Sequence, residues 1–221
     1  MLVSLNPEHL SGSVNMLYLP NGEFDAKAST TEEPDAGKLH VRVCVGSVRG
    51  VSGNGRSYRE IRSKETMEIS FLSEYPESTA EIAQWYYDEW AGPNPTTTVE
   101  QIALNIKKKA ESNYQIPLSF VAHNDNALIG VVELKFRENK NHPEYEHWLG
   151  GLFVKPECRG SGVCSSLINR VKQHSVLLEL EKLYLQCEEN LVPMYRKYTF
   201  RELHKAKHRD FETTIMCWDV E

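Results

Sequence analysis

The residues with the clearest chemical content form one run, Leu152-Phe153-Val154-Lys155-Pro156-Glu157-Cys158-Arg159-Gly160-Ser161-Gly162-Val163-Cys164. An apolar segment ends at a proline, a glycine turn follows, and Val163, Leu167 and Val171 then recur at helical spacing. The first N–H groups of a helix lack internal partners and sit at the positive end of its dipole, so a turn feeding a helix can cradle a pyrophosphate. Gly160 and Gly162 would let the backbone approach phosphate oxygens with no Cβ in the way. Arg159 adds charge-assisted hydrogen bonds. The run is neither a Walker A loop nor a dinucleotide G-x-G-x-x-G. A bare Gly-x-Gly would read as an ordinary strand-to-helix turn; the strand and arginine before it and the helix after it favour a phosphate site.

Other constellations point less far. His204 and His208 are four apart, a metal-ligating spacing on a helix, but the Lys-rich connection reads as a surface turn, and no metal is expected. Cys158 and Cys164 flank the glycine turn, where a buried, inert thiol is the simpler expectation for Cys164. Lys107-Lys108-Lys109 reads as the solvated face of a helix.

The elements that must position the glycine turn are legible from Met67 onward. Glu68–Leu72 reads as a short strand. Residues 76–90 read as a helix with Pro76 in its first turn and Ile82, Tyr86 and Trp90 spaced by four. A second helix is expected from Thr97, with Thr97-x-x-Glu100 as capping box and Val99, Ile102, Ala103, Ile106 and Ala110 as its apolar stripe. Strands follow at Leu118–Ala122, Ala127–Phe136 and Trp148–Val154, the first two flanking the turn-prone Asn124-Asp125-Asn126. A helix over about 162–175, a buried strand Leu183–Leu185, a short helix at 191–198 and closing strands Thr199–His204 and Phe211–Trp218 complete the order. This is β-α-α-β-β-β-α-β-α-β-β, a mixed α/β sheet.

With those elements in place, Val154-x-Pro156-x-x-Arg159-Gly160-x-Gly162-Val163-Cys164 resembles the acetyl-CoA signature of the GNAT N-acetyltransferase superfamily, V-x-P-x-x-R-G-x-G-[IV]-[GA]. Cys164 departs from the preferred Gly or Ala. Tyr195-Arg196-Lys197-Tyr198-Thr199-Phe200 is similar to the family's second motif, a tyrosine on a short helix before Gly-Phe, with Thr199 replacing the glycine. Trp148-Leu149, and Trp85 and Trp90, look like a bacterial branch. The resemblance covers about residues 67–218. It implies an α/β fold of the GNAT acyl-CoA N-acyltransferase type, a mixed and mostly antiparallel central sheet flanked by helices.

The same resemblance implies the chemistry. The thioester of acetyl-CoA is expected on backbone groups of Leu152, Phe153 and Val154 in the splayed fourth strand. Gly150-Gly151 suits the β-bulge that re-aims this strand, or else relieves crowding in it. The pyrophosphate is expected on Arg159, Gly160, Ser161, Gly162, Val163 and Cys164, with Asn190 near the pantetheine arm. An amine attacks the thioester directly. Alkyl ammonium groups, with a pKa near ~10, must first lose a proton. Tyr195 is the expected general acid for the thiolate, or else a core tyrosine. Glu133, Glu146 and His147 are the base candidates, since Trp148–Val154 contains no acidic residue. The expected activity is acetyl-CoA-dependent acetylation of a primary amine. The rival is a catalytically silent acyl-CoA-binding sensor or partner module.

Composition bounds these readings. The chain has 221 residues, 40% hydrophobic and 25% charged, an ordinary globular balance. A net charge of −6 disfavours nucleic acid and suits a cationic acceptor. No apolar run approaches the ~20 residues of a membrane span. Five cysteines without a C-x-x-C pair, and no signal-peptide pattern, lead us to expect a reduced, cytoplasmic protein, monomer or homodimer. Residues 1–66 are Gly- and Ser-rich and carry as many acidic as basic residues, so the −6 sits wholly in 67–221. We expect 67–221 to be the acetyltransferase domain. Residues 1–66 are expected to be an N-terminal extension, poorly ordered or read through from an early start, with a possible strand at Leu39–Val45.

Overall fold

The computed structural model describes residues 67–91, 97–125, 127–208 and 211–221; the 1–66 extension and its expected strand lie outside the described residues. The elements run β1 (Met67–Phe71), α1 (Thr79–Tyr86), α2 (Val99–Lys109), β2 (Leu118–Asn124), β3 (Ala127–Phe136), β4 (His147–Val154), α3 (Val163–Leu177), β5 (Lys182–Cys187), α4 (Val192–Arg196), β6 (Arg201–His208) and β7 (Phe211–Asp219). That is the expected order. The strands form one sheet in the order β1-β2-β3-β4-β5-β7-β6. Every neighbouring pair is antiparallel except β4 and β5.

Both faces of the sheet are covered, and strand alternation sorts side chains between them. Phe120, Ala122, Val132, Leu134, Leu152 and Val154 join α3 and α4 in the main core. Val121, Val131 and Phe153 point the other way, into a second core with α1 and α2. Two-sided coverage explains why β2 reads as an almost continuous apolar run rather than an alternating one. Asp125, with φ of 45°, turns β2 into β3.

Four local expectations are corrected. The 76–90 helix is three joined pieces: a 3₁₀ turn Pro76–Ser78, α1, and a π-helical turn Tyr87–Ala91. Its stripe still buries Ile82, Tyr86 and Trp90. The capping box lies one residue later than expected. Thr98, in extended backbone, accepts from Gln101 N, and Gln101 Oε1 accepts from Thr98 N, while Thr97 is buried. Lys109 is also buried rather than solvated, because with Ile102 and Ile106 it completes the spacing of the inward stripe. His204 and His208 lie in β6, not in a surface turn, so a helical four-residue spacing does not bring them together, and His204 Nε2 instead meets the Tyr145 hydroxyl at 3.1 Å.

Candidate active site

β4 changes register where its glycines fall. Glu133 faces Gly150 and Val131 faces Phe153, so β4 holds one more residue than β3 between those pairs. The extra residue makes a bulge, and Gly151 takes φ of +54° within it. Position 151 demands glycine through its φ and its buried neighbours, whereas at 150 an added side chain would meet the tip of a flexible one. A Cβ on Gly150 would lie 2.5 Å from Glu138 Oε2, and one on Gly151 would lie 2.5 Å from the Tyr86 hydroxyl. On its other side β4 meets β5 through the single pair Trp148↔Tyr184, so the two parallel strands part beyond that point.

The face of the bulge toward α1 and α2 is lined by a buried charge network. Glu133 Oε2 accepts from Lys109 Nζ at 2.9 Å and pairs with Lys135 Nζ at 3.3 Å. Lys135 also pairs with Glu138 at 3.6 Å. Burial alone would push the Glu133 carboxyl up, but Lys109 and Lys135 outweigh it and hold the group at about 2. Glu133 is thus a fixed anion with low proton affinity, neither a solvated strand residue nor a strong base. The Tyr86 hydroxyl donates to Gly151 O at 2.6 Å. Burial, then the Glu133 charge, raises its pKa well above the ordinary phenol value, so it stays a donor.

The glycine turn lies past the end of β4. Gly160 and Gly162 adopt φ of +80° and +94°, and Gly162 is the N-cap of α3. Among the described residues, no atom comes within 4 Å of a Cβ built at either position. The turn is open, its conformation demands glycine, and it leads into a fifteen-residue helix. That arrangement fits a pyrophosphate on the N–H groups of Gly160 to Cys164. Arg159 Nε donates to Val154 O at 3.0 Å, and Ser161 Oγ donates to Cys158 O at 2.6 Å, which brace the turn from within. Lys155 pairs with Glu81 at 2.8 Å beside the turn. Cys164 is buried, with Val163 and Leu167, in the main core.

The remaining candidates spread out. Tyr195, on α4, is 1% exposed in the same cluster as Leu149, Leu152 and Val154, with its ring edge-on to Phe200. It is therefore on the sheet face opposite Glu133 and Tyr86. Asn190 is exposed in the 3₁₀ turn Glu189–Leu191 after β5. Glu146 is half exposed and binds Arg137 at 2.6 Å. His147 opens β4 with its ring near Phe136, and burial lowers its pKa, partly offset by Glu146. These two sit three to four residues before Gly150, roughly 10 Å or more along a strand. Sequence reasoning missed Tyr86 and Lys109 as site residues. The one available signal was spacing, which places both on inward helix stripes.

Comparison with known proteins accords with this geometry. A sequence model of the acetyltransferase (GNAT) family matches residues 79–200. No curated protein sequence matches the chain. Among solved structures, a GNAT-family acetyltransferase from Streptococcus pneumoniae is similar at 15% identity and TM-score 0.56, covering 71% of this chain and 100% of that one. The yncA protein of Salmonella typhimurium, solved with its cofactor acetyl-CoA, is similar at 14% identity and TM-score 0.53, covering 70% and 94%. The spermidine/spermine N-acetyltransferase SpeG from Vibrio cholerae is similar at 21% identity and TM-score 0.52, covering 70% and 95%. With the glycine turn, the bulged strand and a family match spanning more than half of the sequence, the chain belongs to the GNAT acetyltransferase family.

Proposed function

We propose that the protein transfers the acetyl group of acetyl-CoA to a primary amine by direct attack of the amine on the thioester. One observation carries this reading: β4 bulges at Gly150-Gly151, parts from β5, and runs into the open Gly160–Gly162 turn at the start of α3. Acetyl-CoA supplies an activated acyl group with a thiolate leaving group. The chain's residues then divide by face. Arg159 and the amides of Gly160, Ser161, Gly162, Val163 and Cys164 hold the pyrophosphate, β4 backbone at Leu152 and Val154 holds the thioester while the Phe153 backbone pairs with β3, and Asn190 lies near the arm. Tyr195, on the α4 side, donates a proton to the departing thiolate.

The amine enters from the α1 and α2 side. Among the base candidates, His147 is the one whose neutral form can accept a proton near neutral pH, whereas Glu133 is held ionised by two lysines. The acidic chain favours a cationic acceptor, and the name of the similar SpeG protein points to the same class. A cytoplasmic location fits this reading.

The test is thermal stabilisation by acetyl-CoA together with CoA release across a panel of amines. Stabilisation with turnover supports the proposal. Stabilisation without turnover by any amine favours a silent acyl-CoA-binding module, a reading to which Cys164 and Thr199 lend weight by departing from the family motifs. Absence of stabilisation by acetyl-CoA or CoA defeats both.

A further inference from the structure

A bulge leaves a strand with backbone groups that the ladder no longer pairs, and β4 has one such group at its centre. Lys155 N donates to Ile129 O, and two residues back Phe153 faces Val131 in the same register. Alternation along an antiparallel ladder therefore turns the backbone groups of Phe153 toward β3, and those of Leu152 and Val154 toward β5. Val154 O agrees with this, since its partner is Arg159 Nε from the turn. On that side β5 has already departed, because the two strands pair only at Trp148↔Tyr184. The Leu152 N–H thus faces the gap between the strands.

The other end of the same peptide unit is the Gly151 carbonyl, which accepts the Tyr86 hydroxyl at 2.6 Å. In a trans peptide the C=O and N–H point in opposite directions, so fixing one fixes the other. We propose that Tyr86 is a positioning residue for acyl transfer: its hydroxyl locks the Gly151–Leu152 peptide so that the Leu152 N–H stays aimed into the gap between β4 and β5. The lock is needed because Gly151, at φ of +54°, has the freedom to let this peptide rotate. Tyr86 is itself held, buried in the second core with its ring 4.6 Å from that of Trp90, where the helix passes into its π-helical turn. The inference rests on the acetyl-transfer reading, in which the thioester carbonyl meets this N–H.

The test uses Tyr86→Phe, which keeps the ring and removes the donor. Isotope-edited infrared spectroscopy of bound [1-¹³C]acetyl-CoA should show the carbonyl stretch lowered on the wild-type chain and returned toward the free value on the variant. Acetyl-CoA affinity should stay within about threefold, and kcat with any accepted amine should fall about tenfold or more at unchanged amine KM, the pattern of a lost transition-state contact. On the wild-type chain, the Leu152 amide proton resonance should move when acetyl-CoA is added, a measurement independent of how well the variant folds. An unmoved Leu152 resonance, or a variant matching wild type in stretch and kcat, overturns the role of Tyr86 while acetyl-CoA binding stands. A wild-type chain that does not bind acetyl-CoA overturns both readings.

Discussion

Thr199 holds φ of +67°, a left-handed conformation that a β-branched residue rarely adopts, in the turn between α4 and β6. Its sequence motif asked for glycine there, and the backbone shows why: the chain must turn sharply between Tyr195 and Phe200, whose N–H reaches back to Tyr195 O. Lys172 Nζ offsets part of the strain by donating to Tyr198 O and to Thr199 Oγ1. Thr199→Gly should therefore stabilise the fold by about 0.5–1 kcal/mol, the left-handed strain relieved less the lost bond and the added freedom of the unfolded chain; urea unfolding reads the difference. Glu133→Gln acts in the opposite direction. It removes the countercharge that buried Lys109 meets at 2.9 Å and leaves part-buried Lys135 with Glu138, and should cost on the order of 3 kcal/mol, measured in the same way. Tyr195→Phe should lower turnover while leaving acetyl-CoA affinity nearly unchanged, and a rate equal to wild type would remove its role as acid. His147→Gln should flatten the acid limb of the pH–rate profile, because a lowered imidazole pKa makes the wild-type rate rise with pH at a point below 6.5.

At the scale of elements, the glycine turn and α3 act together. Gly162 is both the N-cap of α3 and a residue at φ of +94°, so Gly162→Val combines backbone strain with a side chain at the proposed phosphate cradle. We expect a loss of about 1–2 kcal/mol in stability and at least a tenfold loss in acetyl-CoA affinity by calorimetry. The turn was legible in sequence because its chemistry is local: the strand, proline, arginine and glycines are neighbours in the chain. The bulge at Gly150-Gly151 was legible only as one of two readings, since a glycine pair does not say whether it relieves crowding or shifts register. The answer depended on β3, whose Glu133 and Val131 set the count across the ladder. Lys109 shows the opposite failure. A lysine run reads as solvent-facing; helical spacing puts Lys109 on the inward stripe with Ile102 and Ile106, and only the carboxylate of Glu133, on another element, lets a charge be buried there.

For the whole molecule, acid stability collects these local terms. The His174 ring lies edge-on to Phe71 and Phe120 at 5.3 Å, with Arg170 over both rings. Burial first, and then the Arg170 charge, lowers its pKa. A group that binds its proton more weakly when folded lends stability above the unfolded value that is lost as pH falls. His174 thus contributes a loss that begins below about pH 6.5, and Glu133 a second one that runs from about 4.5 down to about 2. Urea midpoints followed from pH 8 to 3 should decline in both ranges, and His174→Phe should flatten the first alone. No helix among the described residues is long and apolar enough to cross a membrane. By itself the sequence determined the order of the elements, the glycine turn and the family, because periodicity and a contiguous motif are carried by neighbouring residues. Tertiary structure alone decided that Glu133 is a clamped anion, that Lys109 is buried, and that Tyr86 meets Gly151. Those contacts join residues 24 and 65 positions apart, and burial and charge pairing exist only once the sheet has brought them together.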